Sequence, residues 1–194
     1  MKALNGIIRL SLTILCIFSC ELFYSPHDPQ PYVLFLSFQD DAGHDLVKGI
    51  EFDNWWNETT PYKAGPVKSS LYTIKLESPN PCNTGKAELI LYTPYSGWFD
   101  PSTEYNYLEI YPSVSSITYK KGCKYDTRIT IRLKCPFIFG DDMEHEIVTY
   151  WIVNDKRSST RIKCSRIELD GMDNTHIKGI AGSGSLATII LPRK

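Results

Sequence analysis

The chain predicts an all-β fold, an antiparallel β-sandwich of immunoglobulin-like or related kind with about nine strands. Three observations predict it. Short apolar runs recur from Tyr32 onward, and several alternate with period two. Clusters of Pro, Gly, Asn and Asp punctuate them, as at Ser78-Pro79-Asn80-Pro81, Asn154-Asp155-Lys156-Arg157 and Asp170-Gly171. No segment of about 12 residues carries the 3.6-residue periodicity of an amphipathic helix.

The first nineteen residues stand apart from that pattern. Lys2 and Arg9 make a positive start, and Leu10 to Phe18 is an apolar run ended by Ser19. The run is too short to cross a bilayer of about 30 Å, which takes about 20 apolar residues in a helix, so residues 1–19 read as a cleaved signal peptide. At its end, Ile17-Phe18-Ser19-Cys20 places an apolar residue three before a cysteine and a small residue one before it. This resembles the bacterial lipobox, in which the cysteine is lipidated and becomes the mature N-terminus. An ordinary secretory signal with a chance cysteine is the competing reading. Lipidation of Cys20 by two or three acyl chains, palmitate among them, stabilises anchoring by about 0.8 kcal/mol per buried CH₂ and takes the place of a transmembrane helix.

Residues 20–31 follow as a tether, because Pro26, Pro29 and Pro31 fix φ and withdraw backbone donors. Residues 32–194 are then the sandwich domain. Its strands are expected in order at Tyr32–Phe38, His44–Ile50, Leu71–Glu77, Ala87–Tyr92, Tyr105–Tyr111, Thr127–Lys134, Glu146–Val153, Thr160–Leu169 and Leu186–Leu191. The Asp40-Asp41-Ala42-Gly43 turn predicts that the first two pair as a hairpin. In Thr127–Lys134, Ile129, Ile131 and Leu133 fall on one face and Arg128, Thr130, Arg132 and Lys134 on the other, a strand with one wet side. Two smaller sandwiches divided near Pro112 are the alternative to a single domain.

Loss of residues 1–19 removes Lys2 and Arg9 and leaves 19 basic against 22 acidic side chains, a formal charge of −3. That balance lacks the concentrated basic face of a nucleic-acid binder, so no nucleic-acid partner is expected. The mature length suffices to bury about two-thirds of the unfolded surface without help from a metal, and no cofactor is implied.

Six cysteines divide into Cys16, lost with the signal, Cys20, and four others. In an oxidising compartment Cys82, Cys123, Cys135 and Cys164 allow disulfides in any of three pairings, or remain buried thiols that pack as small apolar residues. Asp141, Asp142 and Glu144 could supply hard oxygen ligands to a cation, without the regular spacing of a calcium loop. His145 lies ten residues from Cys135, which allows a nucleophile and base only if the fold joins them. Trp55 and Trp56, flanked by Asn54 and Asn57 in a polar segment, suit a platform for the flat face of a sugar, the amides supplying hydrogen bonds. The other reading of the same pair has one indole plugging the sandwich end.

The block from Leu133 to Asp142, continuing through His145 to Tyr150-Trp151, resembles uncharacterised predicted lipoproteins of the Bacteroidales. Ser37–Ile50 and Cys164–Gly171 are similar to the same group. The resemblance implies an exported, lipidated β protein of the Gram-negative envelope, at the outer membrane, and implies no catalytic residue. The four histidines, His27, His44, His145 and His176, sit in unrelated contexts, and no HExxH or CxxC pattern appears. The expectation is therefore a non-enzymatic binding or scaffolding lipoprotein of the cell envelope, membrane-anchored through Cys20, with a glycan or an envelope protein as partner. The alternative is a glycan-binding or glycan-processing protein that uses loop aromatics and carboxylates, the latter needing two facing carboxylates in an aromatic-lined cleft.

Overall fold

The computed structural model describes residues 33–55, 63–77, 88–93, 105–111, 127–156, 159–181 and 184–192. These residues form eleven strands: β1 (Leu34–Asp40), β2 (Ala64–Pro66), β3 (Thr73–Glu77), β4 (Glu88–Tyr92), β5 (Tyr107–Tyr111), β6 (Arg128–Lys134), β7 (His145–Lys156), β8 (Ser159–Leu169), β9 (Met172–Asp173), β10 (His176–Ala181) and β11 (Gly184–Leu191). One sheet runs β10-β11-β1-β5-β4-β2 and the other β3-β6-β7-β8-β9. The all-β sandwich is thus observed, and each sheet takes strands from both sides of Pro112.

The core lies between the sheets. Leu34, Leu36 and Phe38 of β1, Leu108 and Ile110 of β5, and Ala187 and Ile189 of β11 pack in one cluster with Ile129, Ile131 and Leu133 of β6, Ile147 of β7 and Ile167 of β8. The alternation in β6 does what it predicts, since its three aliphatic side chains are buried while Arg128 is exposed. Each buried Leu, Ile or Phe contributes about 1.5–3 kcal/mol relative to exposure, so this interface carries the fold. Trp151 is also inside, and its indole N–H donates to the Thr149 hydroxyl at 2.8 Å, which satisfies the donor that burial would otherwise strand.

Two features depart from the sequence expectation. The sandwich is not wholly antiparallel: β1 pairs in parallel with β11 along its whole length, from Leu34↔Ser185 to Asp40↔Leu191, and antiparallel with β5 on its other side. With neighbours on both edges and cover on both faces, β1 is buried at every position from Leu34 to Gln39. A near-continuous apolar run is the signature of such a strand.

The expected first hairpin is absent, because His44–Ile50 is not a strand and its backbone pairs with β1 only at an isolated bridge, Gln39↔Asp45. Asp40 explains this. Its Oδ1 accepts the amides of Ala42 at 2.9 Å and His44 at 2.8 Å, and that side-chain turn competes with a ladder. Gly43 and Gly49 take φ of +83° and +89°, and Val47 and Ile50 fold inward to close the end of the core.

Three strands escaped the sequence pattern. β9 has two residues, and β10 carries a register shift between Ile177 and Gly179 that breaks its alternation. β2 reads Ala-Gly-Pro, a poor strand sequence, but its proline serves only as an acceptor: the Asp53 amide donates to the Pro66 carbonyl at 2.8 Å, and the Trp55 amide to Ala64 at 2.9 Å. A Cβ on Gly65 would sit 1.8 Å from the Asp53 carbonyl oxygen, so this position requires glycine for the two segments to meet. Between β6 and β7 a one-turn helix, α1 (Pro136–Phe139), starts on a proline and ends at Gly140 in left-handed conformation, the Gly140 N–H donating to Pro136.

Candidate functional site

A cleft of about 570 Å³ opens at the end of the sandwich where β1 leaves its sheet. The loop after β1 provides Gly43, His44, Asp45, Lys48 and Gly49 as one wall. Phe52, Leu91 and Thr93 form a second, and Tyr105 and Asn106, which lead into β5, form a third. Asp45 ties two walls together: its Oδ1 accepts the Val47 amide at 2.9 Å, and its Oδ2 accepts both the Asn106 amide at 2.9 Å and the Asn106 side-chain N–H at 2.7 Å. The Lys178 ammonium lies 5.0 Å from the centre of the Tyr105 ring. His44 Nδ1 meets Asp40 Oδ2 at 2.8 Å while the imidazole stays largely in solvent.

The same end of the molecule carries a second arrangement. Phe139 of α1 meets Phe38 of β1 edge to face at 5.9 Å, and its ring also stacks on the His145 ring at 3.9 Å. His145 is bonded through both nitrogens, Nδ1 to Asp170 Oδ2 at 2.7 Å and Nε2 to Asp141 Oδ1 at 3.0 Å. Burial pulls the His145 pKa down, but the hydrogen bonds and negative charge of Asp170 and Asp141 outweigh it, so the net shift is upward and favours imidazolium. Asp170 adopts φ of +50° at the β8–β9 turn and also accepts the Glu146 amide at 2.8 Å.

That geometry decides several candidate residues. With both nitrogens engaged, His145 is not available as a base for Cys135. Cys135 and Cys164 are free thiols, both buried. Burial pushes the Cys135 thiol up and the Cys164 thiol up to about 12, the condition of unreactive structural cysteines. They therefore do not take part in the disulfides considered from the sequence, and Cys82 and Cys123 lie outside the described residues.

Asp141, Asp142 and Glu144 do not converge on a cation position. Asp141 faces His145, Asp142 pairs with Lys134 at 2.9 Å, and Glu144 approaches Lys75 at 3.5 Å and Arg132 at 3.9 Å. The three carboxylates thus face different basic side chains instead of one another. Among the described residues no group of three His, Cys, Asp or Glu side chains is arranged to hold a metal ion.

Trp55 is 59% exposed, and Asn54 beside it is exposed, but neither lines the cleft. Trp55 stands on the edge of the six-stranded sheet, where residues 51–55 run beside β2, so it is not a plug of the sandwich end. Trp56 and Asn57 lie outside the described residues. Sequence reasoning missed Asp45, Lys48, Tyr105 and Asn106. Asp45 and Asn106 are 61 positions apart and carry no local signal. The partnership of His145 with Asp170 was equally hidden, although Asp170-Gly171 was legible as a turn.

Comparison with protein-family models, with curated proteins and with solved structures returns no match.

Proposed function

We propose that this chain is a lipid-anchored envelope protein whose sandwich is a non-enzymatic binding module, taking its ligand in the cleft between the post-β1 loop and the start of β5. In this reading residues 1–19 are a removed signal, Cys20 carries the acyl chains, and residues 20–31 are the tether. The single observation that carries the binding role is the cleft itself. It is concave, it combines aromatic and aliphatic walls with a few polar groups, and Asp45 ties two of its walls together. The anchor is supported by the Ile17-Phe18-Ser19-Cys20 pattern. No helix among the described residues is long and apolar enough to cross a membrane. The outer membrane is favoured by the resemblance of residues 133–151 to Bacteroidales lipoproteins.

The glycan-processing alternative needs two facing carboxylates, and among the described residues the cleft wall supplies one, Asp45, whose oxygens are held by three N–H donors. The non-enzymatic reading is therefore preferred. Fractionation tests the anchor: the wild-type chain partitions with membranes and incorporates labelled palmitate, and Cys20→Ser releases the protein into the soluble fraction with its fold intact. Retention of Cys20→Ser in the membrane fraction would overturn the anchor.

A further inference from the structure

We propose that the cleft binds a saccharide bearing a carboxylate, a uronate, with Lys48 receiving the anion and Tyr105 the ring; this rests on the cleft being the ligand site.

The argument begins with which charges in the wall are already spent. Asp45 accepts three N–H groups from Val47 and Asn106, and Asp40 behind it accepts the amides of Ala42 and His44 and faces the His44 ring. Both carboxylates are consumed in building the loop. The cations are not spent in the same way. Lys48 is exposed in the cleft wall and has no carboxylate within ion-pair distance among the described residues, and Lys178 lies over Tyr105, equally without one. The chain as a whole carries a formal charge of −1, and Lys48 is the unpaired cation that the described wall of this cleft presents. An unpaired cation in the wall of a concave site favours an anionic group.

The rest of the wall selects a sugar over another anion. A pyranose offers a C–H face and a rim of hydroxyls; Tyr105 and Phe52 suit the first, and Thr93 and Asn106 suit the second. An acidic peptide satisfies Lys48 but leaves the hydroxyl-directed groups idle. Lys48 is solvent-exposed, so its contribution sets selectivity and salt dependence more than total affinity.

The test is affinity electrophoresis of the full-length protein in detergent through gels containing polygalacturonate, neutral dextran or poly-L-glutamate, at low and high NaCl. Polygalacturonate is expected to retard the protein, and dextran and polyglutamate are not. Lys48→Gln weakens that retardation about three- to fivefold, Lys48→Arg restores it, and high salt erases the difference. Equal retardation by dextran, insensitive to Lys48→Gln but lost in Tyr105→Ala, overturns the uronate and leaves the cleft as a binding site for neutral sugar. Equal retardation by polyglutamate overturns the saccharide in favour of an acidic polypeptide. Retardation by none of the three overturns the inference, while the anchored-module reading is judged separately by the Cys20→Ser fractionation.

Discussion

His145 Nδ1 lies 2.7 Å from Asp170 Oδ2, and this contact joins the first residue of β7 to the turn that closes β8. Asp141 on the second ring nitrogen makes the His145 ring the link between two loops, with Phe139 stacked on its face. The surrounding charges pair among themselves, Arg132 with Glu146, Lys134 with Asp142 and Lys75 with Glu144, so Asp141 and Asp170 are the carboxylates that face the ring.

The pH dependence of this link has a definite sign. The folded His145 pKa is raised above its unfolded value of about 6.5, so the stabilisation is fully present below that value and is lost as pH rises through the folded one. Urea midpoints measured from pH 5 to pH 9 for wild type and His145→Gln should therefore differ most in acid and converge in base. Asp170→Asn, which keeps an acceptor for the Glu146 amide, should flatten the wild-type profile toward that of His145→Gln. A gap that widens toward alkaline pH would contradict the assignment.

Asp45 organises the cleft through bonds that cross 61 residues of sequence. Asp45→Ala strands the partly buried donors of Asn106 and Val47 and should cost about 1–3 kcal/mol of unfolding free energy. Asp45→Asn keeps the bond to Val47 yet sets an amide N–H against the donors of Asn106, so it should recover only part of that loss. Calorimetric scans showing wild-type stability for Asp45→Ala would mean that the cleft walls are held by something else.

Gly65 has no room for a methyl group, because the Asp53 carbonyl occupies the place of its Cβ. Gly65→Ala must push residues 51–55 away from β2, at a cost of about 1–3 kcal/mol. Amide exchange should report it locally, with the Asp53 and Trp55 amides losing protection while those of β7 and β8 keep theirs. Uniform loss across the molecule, or none, would contradict the close approach.

Cys135 and Cys164 should resist alkylation in the native protein. Peptide mapping after N-ethylmaleimide treatment is expected to leave both unmodified at neutral pH and to find both labelled in denaturant, since burial keeps each thiol protonated and inaccessible. Native labelling of Cys164 within minutes would refute the burial described for it.

Much of the sandwich was legible in the sequence because strand formation is a local matter of alternation and punctuation. Ile129, Ile131 and Leu133 point inward for the reason that their spacing announced, and the runs near Ala87–Tyr92, Tyr105–Tyr111 and Thr160–Leu169 became β4, β5 and β8. The tether over residues 20–31 and the Cys20 motif lie outside the described residues. What the sequence did not carry was partnership. That β1 lies parallel to β11 follows from closing one sheet with strands from opposite ends of the described chain, and no local pattern encodes an edge so distant. That His44–Ile50 becomes a cleft wall instead of a strand depended on Asp40 turning its carboxylate back onto the loop amides. That His145 faces Asp170, and Asp45 faces Asn106, was decided only when the sheets packed and brought loops from separate hairpins to one end of the core. Backbone propensity acts over a few residues, whereas a site is a meeting of side chains across many, so the sequence determined most of the strands and the tertiary structure determined which side chains meet at their ends.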